Sequence, residues 1–214
     1  MSEPKASAGE LSAATVSFIT TEHFTLQGAR AQTISESTGR VSMFLGAASG
    51  GLVALGLLAT AANIGTAFYA VALALLPTLS FVGLVTFERV LQNGLEDLGY
   101  AARIARIRGF YFEHAPELDG YMLSVAPESR VAIQGLPHRS RWQRFLTTAW
   151  MTAVITSVLA GASASLVVAV FADHSLAGSL AAGGAVAIAA LVALTHLQHL
   201  AWTRQIELVS SSLA

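Results

Sequence analysis

The chain has 214 residues, of which 54% are hydrophobic and 12% charged, roughly half the charged share of a soluble domain. With a mean hydropathy of +0.60, that balance places it among integral membrane proteins. The absence of cysteine excludes disulfides, thiolate metal sites and cysteine nucleophiles. A net charge of −1, with acids and bases mixed in the most charged stretch, points away from nucleic acid as a partner.

Residues 1–20 hold no apolar run of signal-peptide length and read as a weakly ordered, retained tail. From Thr21, TEHFTLQGARAQTISESTGR carries Phe24, Ala31, Ile34, Thr38 and Val41 at helical spacing. Thr21 fits an N-cap and Glu22 the first turn, so a helix is expected to lead into the first apolar stretch.

Four stretches approach the roughly 20 residues that cross a hydrocarbon core as helix. They run from Val41 to Asn63, Thr66 to Phe87, Phe145 to Phe171 and Leu176 to Trp202. Short connections at Ala62-Asn63-Ile64-Gly65 and Ala172-Asp173-His174-Ser175 pair them into two hairpins. Neither connection carries Lys or Arg, and all twelve basic residues lie in the segments on the other side. The positive-inside rule then puts both termini and the middle segment in the cytoplasm. Trp142, Trp150 and Trp202 fall near the same boundary, where aromatic rings anchor.

Small residues recur in these stretches: Gly46 and Gly50 in the first, Ser157, Gly161 and Ser165 in the third, Ser179, Gly183 and Ala187 in the fourth. At such spacings two backbones approach closely where lipid supplies no hydrophobic drive. The contact can lie within one chain or between copies.

The second stretch contains Pro77, expected to kink the helix and serve as a hinge. Beyond it, Phe81 to Phe112 continues without proline into charged sequence. Leu84, Leu91, Leu95, Leu98, Ala102 and Ala105 form a seam there, with Glu88 in the one slot that would complete it. The helix before the first span is its nearest partner, and a self-associating stalk is the alternative. From 113 to 144, Pro116, Gly120, Pro127, Gly135 and Pro137 leave room only for short helical turns. Residues 145–203 form the second hairpin and 204–214 a C-terminal tail.

Chemistry has few carriers. Arg103 and Arg106 share a helix face and Arg108 lies around from them, none with a Glu four residues before it. Their candidate partners are the acids Glu113, Glu117, Asp119 and Glu128, anionic headgroups or an anionic ligand, with salt bridges favoured. His196 and His199 share a face and fit interhelical hydrogen bonding, or a metal or haem if folding supplied Glu207 or His138. Glu113, His114 and Glu117 read as a solvated cluster, and Asp173 and His174 as a cap for the last helix. There is no GxxxxGKS/T, HExxH, GxSxG or CxxC. No charge lies mid-span, which argues against a proton relay. A pore would be lined by hydroxyls such as those of Thr152, Ser157, Ser163 and Ser165.

Two runs, EHFTLQGARAQTISESTGR and ERVLQNGLEDLGYAARIARIRGFYFEHAPEL, resemble an uncharacterised family of small bacterial four-span membrane proteins. The resemblance covers about the N-terminal 120 residues and implies a bacterial inner-membrane protein, with no activity attached. The plan of membrane hairpins with cytoplasmic helices is also similar to that of SLATT-type pore-forming effectors, an analogy of architecture.

The sequence thus predicts an all-α integral membrane protein of the bacterial cytoplasmic membrane: four transmembrane helices as two hairpins, N-in and C-in, with cytoplasmic helical extensions. The expected role is a homo-oligomeric channel or pore-forming protein, with no catalysis and no cofactor. The alternatives are a non-conducting scaffold recruiting a cytoplasmic protein partner, and a cofactor-binding subunit using His196 and His199.

Overall fold

The Ser12 hydroxyl accepts the Thr15 backbone N–H at 3.1 Å, satisfying one of the donors left free at a helix start. α1 (Ala13–Ala61) therefore begins ahead of Thr21, whose own hydroxyl donates to the Ser17 carbonyl inside the helix. Part of the expected N-terminal tail is helix. The computed structural model describes residues 12–61, 64–114, 147–171 and 175–213. They form three further helices: α2 (Thr66–His114), α3 (Thr148–Phe171) and α4 (Leu176–Leu213). Each of the four is long and apolar enough to cross a membrane.

α3 and α4 are capped at their starts. Thr147 accepts the Trp150 N–H at 3.2 Å, and Ser175 accepts that of Gly178 at 3.2 Å. Ser175 fills the role expected of Asp173 and His174, which lie outside the described residues. α2 runs through Pro77 without a break in its assignment. Just beyond, the Thr78 and Ser80 hydroxyls donate to the Ala74 and Leu76 carbonyls at 2.7 and 2.8 Å, supplying bonds where the proline ring thins the ladder.

α1 and α2, at 49 residues each, are roughly 70 Å long and form one antiparallel hairpin. Its contacts descend one helix as they climb the other: Gly51 by Leu79, Phe44 by Gly83, Glu36 by Arg89 and Arg30 by Asp97. α2 is central, packing on each of the other three helices. Deep in the apolar half, Phe44, Ala48, Leu55, Ala72, Leu76, Leu79 and Leu159 form one core. Nearer the charged half, Val41, Phe87, Val90, Leu91, Ala149, Ala153 and Leu194 bring all four helices together.

Glycine sets two close approaches. A Cβ at Gly83 would collide with the Thr156 hydroxyl and stand 2.8 Å from the Phe44 ring, so α1, α2 and α3 can meet there only around a bare backbone. At Gly161 a Cβ would stand 2.6 Å from the Gly183 carbonyl oxygen, and one at Gly183 would stand 2.7 Å from that of Gly161. α3 and α4 therefore cross backbone to backbone.

Candidate functional site at the charged end of the helices

Above the four-helix core the seam of α2 is buried for most of its length, against α1, α3 and α4 at Leu91 and against α4 farther out. Leu91 packs with Val41, Ala149 and Leu194. Leu98 and Ala102 pack on Val209, Trp202 and Ile206 of α4. This contact exists because α4 continues as helix to Leu213, where only a tail was expected. Leu95 is half-buried and Ala105 buried, while Leu84 is 44% exposed and belongs to the outer surface.

α1 meets a neighbouring face of α2, through polar groups. Arg30 grips Asp97 with two hydrogen bonds, Nε to Oδ1 at 2.6 Å and Nη2 to Oδ2 at 3.3 Å. Glu36 accepts from Arg89 Nε and Arg40 Nε, both at 2.9 Å. The Arg89 guanidinium, then that of Arg40, pulls the Glu36 carboxyl down to about 2. Farther out, the His23 ring meets Tyr111 edge-on at 6.3 Å. Burial, and then the charge of Arg108, pushes the His23 pKa down.

Two hollows are lined by described residues of this end. The first, of about 180 Å³, sits where α1, α2, α3 and α4 meet and is lined by Thr33, Ser37, Asn93, Asp97, Ala149 and Trp202, among others. Asn93 is 2% exposed; its Nδ2 donates to Ser37 Oγ at 3.2 Å and its Oδ1 has no partner among the described residues. An unanswered amide oxygen at such depth is costly, and the adjoining hollow has room for a water to answer it. Below it, Gln198 donates to Thr147 Oγ1 at 3.1 Å. The second hollow, of about 290 Å³, is a groove between α2 and the end of α4 that contains Arg103 and Arg106. Among the described residues neither arginine, nor Arg108, is in an ion pair.

The remaining predicted residues separate cleanly. Gly161 and Ser165 of α3 meet Gly183 and Ala187 of α4 at the backbone crossing, and Ser157 and Ser179 are buried on the same two helices. Gly46 and Gly50 do not take part: an added Cβ at either would touch nothing. They face outward, away from α2. His196 and His199 are also exposed on α4. Among the described residues no group of three His, Asp or Glu side chains is placed to hold a metal. Glu117, Asp119, Glu128, His138 and Trp142 lie outside the described residues.

One feature is larger than the glycine pair that announced it. Ser35, Gly39, Ser42, Gly46, Ser49, Val53, Gly56 and Thr60 follow one another in alternating steps of four and three along α1. All but Val53 are small, and all are exposed except the half-buried Gly39. The 3.5-residue period is present in the sequence, and of the pair Gly46 and Gly50 only Gly46 lies on it. Matched against family models, curated proteins and solved structures, the chain finds no counterpart.

Proposed function

We propose that the chain is a homo-oligomeric membrane protein of channel or pore-forming type, without catalytic chemistry, whose copies join along the outward face of α1. In this reading it is multi-pass in a bacterial inner membrane, with both termini and the charged end cytoplasmic. The observation that carries it is the small-residue stripe from Ser35 to Thr60, which has no partner among the described residues. A stripe of that period favours a close, left-handed pairing of helices. In lipid, the exposed Ser42 and Ser49 gain from a neighbouring chain or a watered path.

In this reading a conduction path lies between copies, since Thr152 and Ser157 are buried inside one chain and three of the α3 hydroxyls bond to their own helix. Thr152 donates to Thr148 O at 2.9 Å, Ser157 to Ala153 O at 2.7 Å and Ser163 to Leu159 O at 2.8 Å. Reconstitution into liposomes tests the reading: a defined oligomer that carries ion flux supports it. A monomer that carries none removes it.

The scaffold alternative is favoured by Phe18, Phe24 and Ile34, which are 75%, 69% and 55% exposed on the charged half of α1, beyond the apolar stretch. Apolar side chains so placed in water suit a docking helix. A non-conducting oligomer with a stoichiometric partner, lost on Phe18→Ser with Phe24→Ser, would establish that role.

A further inference from the structure

The arginines at the charged end fall into two sets. Arg30, Arg40 and Arg89 each hold a carboxylate at 2.6 to 2.9 Å. Arg103 and Arg106 hold none among the described residues, although they stand one turn apart on α2, where like charges repel. Both line the groove of about 290 Å³ between α2 and α4. Its floor is apolar, formed by Gly99 and the buried Ala102 and Val209, with the exposed Leu208 beside them. At Gly99 an added Cβ would reach only Gln205 Nε2, at 3.9 Å, so the α2 backbone lies open there. The Gln205 amide lines the same groove and donates to the Leu95 carbonyl at 3.5 Å, which leaves it a second N–H to offer.

We propose that this groove binds a soluble, phosphate-bearing small molecule. Two planar guanidinium groups match phosphate oxygens in forked pairs. The second Gln205 N–H adds a neutral donor, and the apolar floor receives the organic part of the ligand. The last carbonyls of α4 carry only partial negative charge, too little to neutralise two arginines. Glu207, on the same helix, does not line the groove.

Height separates this ligand from a lipid headgroup. Trp202 packs beside Gly94, 3.4 Å from where a Cβ would stand, and marks the boundary level on α2. Arg103 and Arg106 stand roughly 14 and 18 Å farther along the helix. On the membrane reading, the headgroup layer is only about 5–8 Å thick.

The test is calorimetric titration of inorganic pyrophosphate into the full chain in phosphatidylcholine nanodiscs. Saturable binding is expected, and Arg103→Gln with Arg106→Gln should weaken it about tenfold or more through loss of charge-assisted bonds. Arg204→Gln, outside the groove, should leave it unchanged, and helical circular dichroism of the double variant should match the parent. Absence of binding, or binding indifferent to the pair, overturns the proposal. So does binding abolished by phosphatidylglycerol in the disc, which would assign the groove to headgroups. Binding that appears only in Glu117→Gln/Asp119→Asn/Glu128→Gln overturns it too, by showing that the chain's own carboxylates fill the groove.

Discussion

Two small-residue surfaces in this chain share a vocabulary and have opposite fates. At the α3·α4 crossing, Gly161 and Gly183 each stand within 3 Å of the other's carbonyl oxygen, measured from where a Cβ would be. On α1, Gly39, Gly46, Gly50 and Gly56 would accept a Cβ without touching anything. The first surface is filled by the chain itself. The second has the same chemistry and no occupant among the described residues, and the proposed assembly would fill it.

The comparison breaks first at the crossing. Gly161→Val or Gly183→Val forces side-chain atoms against backbone that cannot yield, and should destabilise the bundle by about 3 kcal/mol or more. Unfolding in mixed detergent with rising dodecyl sulfate would read this as a lowered midpoint. Gly46→Leu with Gly50→Leu should leave that midpoint nearly unchanged and dissociate the oligomer, seen as a fall in mass in native lipid discs. If both pairs of variants behave alike, the distinction between the two surfaces is lost.

The charged end gives smaller, pH-dependent effects. Because the Glu36 carboxyl is held at about 2 against an ordinary 4.5, its contribution to stability is complete above pH 4.5. It is lost as the pH falls toward 2. Amide exchange around Glu36 and Arg89 should therefore speed up across that window, and Glu36→Gln should flatten the change. His23 has a depressed pKa as well, so the folded end prefers its neutral ring. Acidification below 6.5 should loosen the ends of α1 and α2 around Tyr111, and His23→Gln should remove that sensitivity. Both groups are half-buried and still reached by solvent, and these effects rank below the glycine variants.

Much of the fold was readable in the residues. Hydropathy placed the four helices, and the spacing of Ser157, Gly161 and Ser165 against Ser179, Gly183 and Ala187 anticipated a close approach that the α3·α4 crossing supplies. What escaped depends on which face turns where. Leu98 and Ala102 needed an apolar partner, but nothing local to α2 says that α4 runs on past Trp202 to provide Val209. Gly83 looks like any glycine in an apolar run until Phe44 and Thr156 arrive from other helices. Asn93 has charged residues near it in sequence, yet it is buried beside Ser37. The period of the α1 stripe was present throughout, but a period cannot tell an inner face from an outer one.

Disulfide cross-linking along α1 tests the central claim most directly, because the chain has no cysteine of its own. Single cysteines at Ser42 and Ser49, on the stripe, should give rapid dimer cross-links in lipid; one at Ile188, exposed on α4, should not. Cross-linking at Ile188 and silence at both serines would contradict the account.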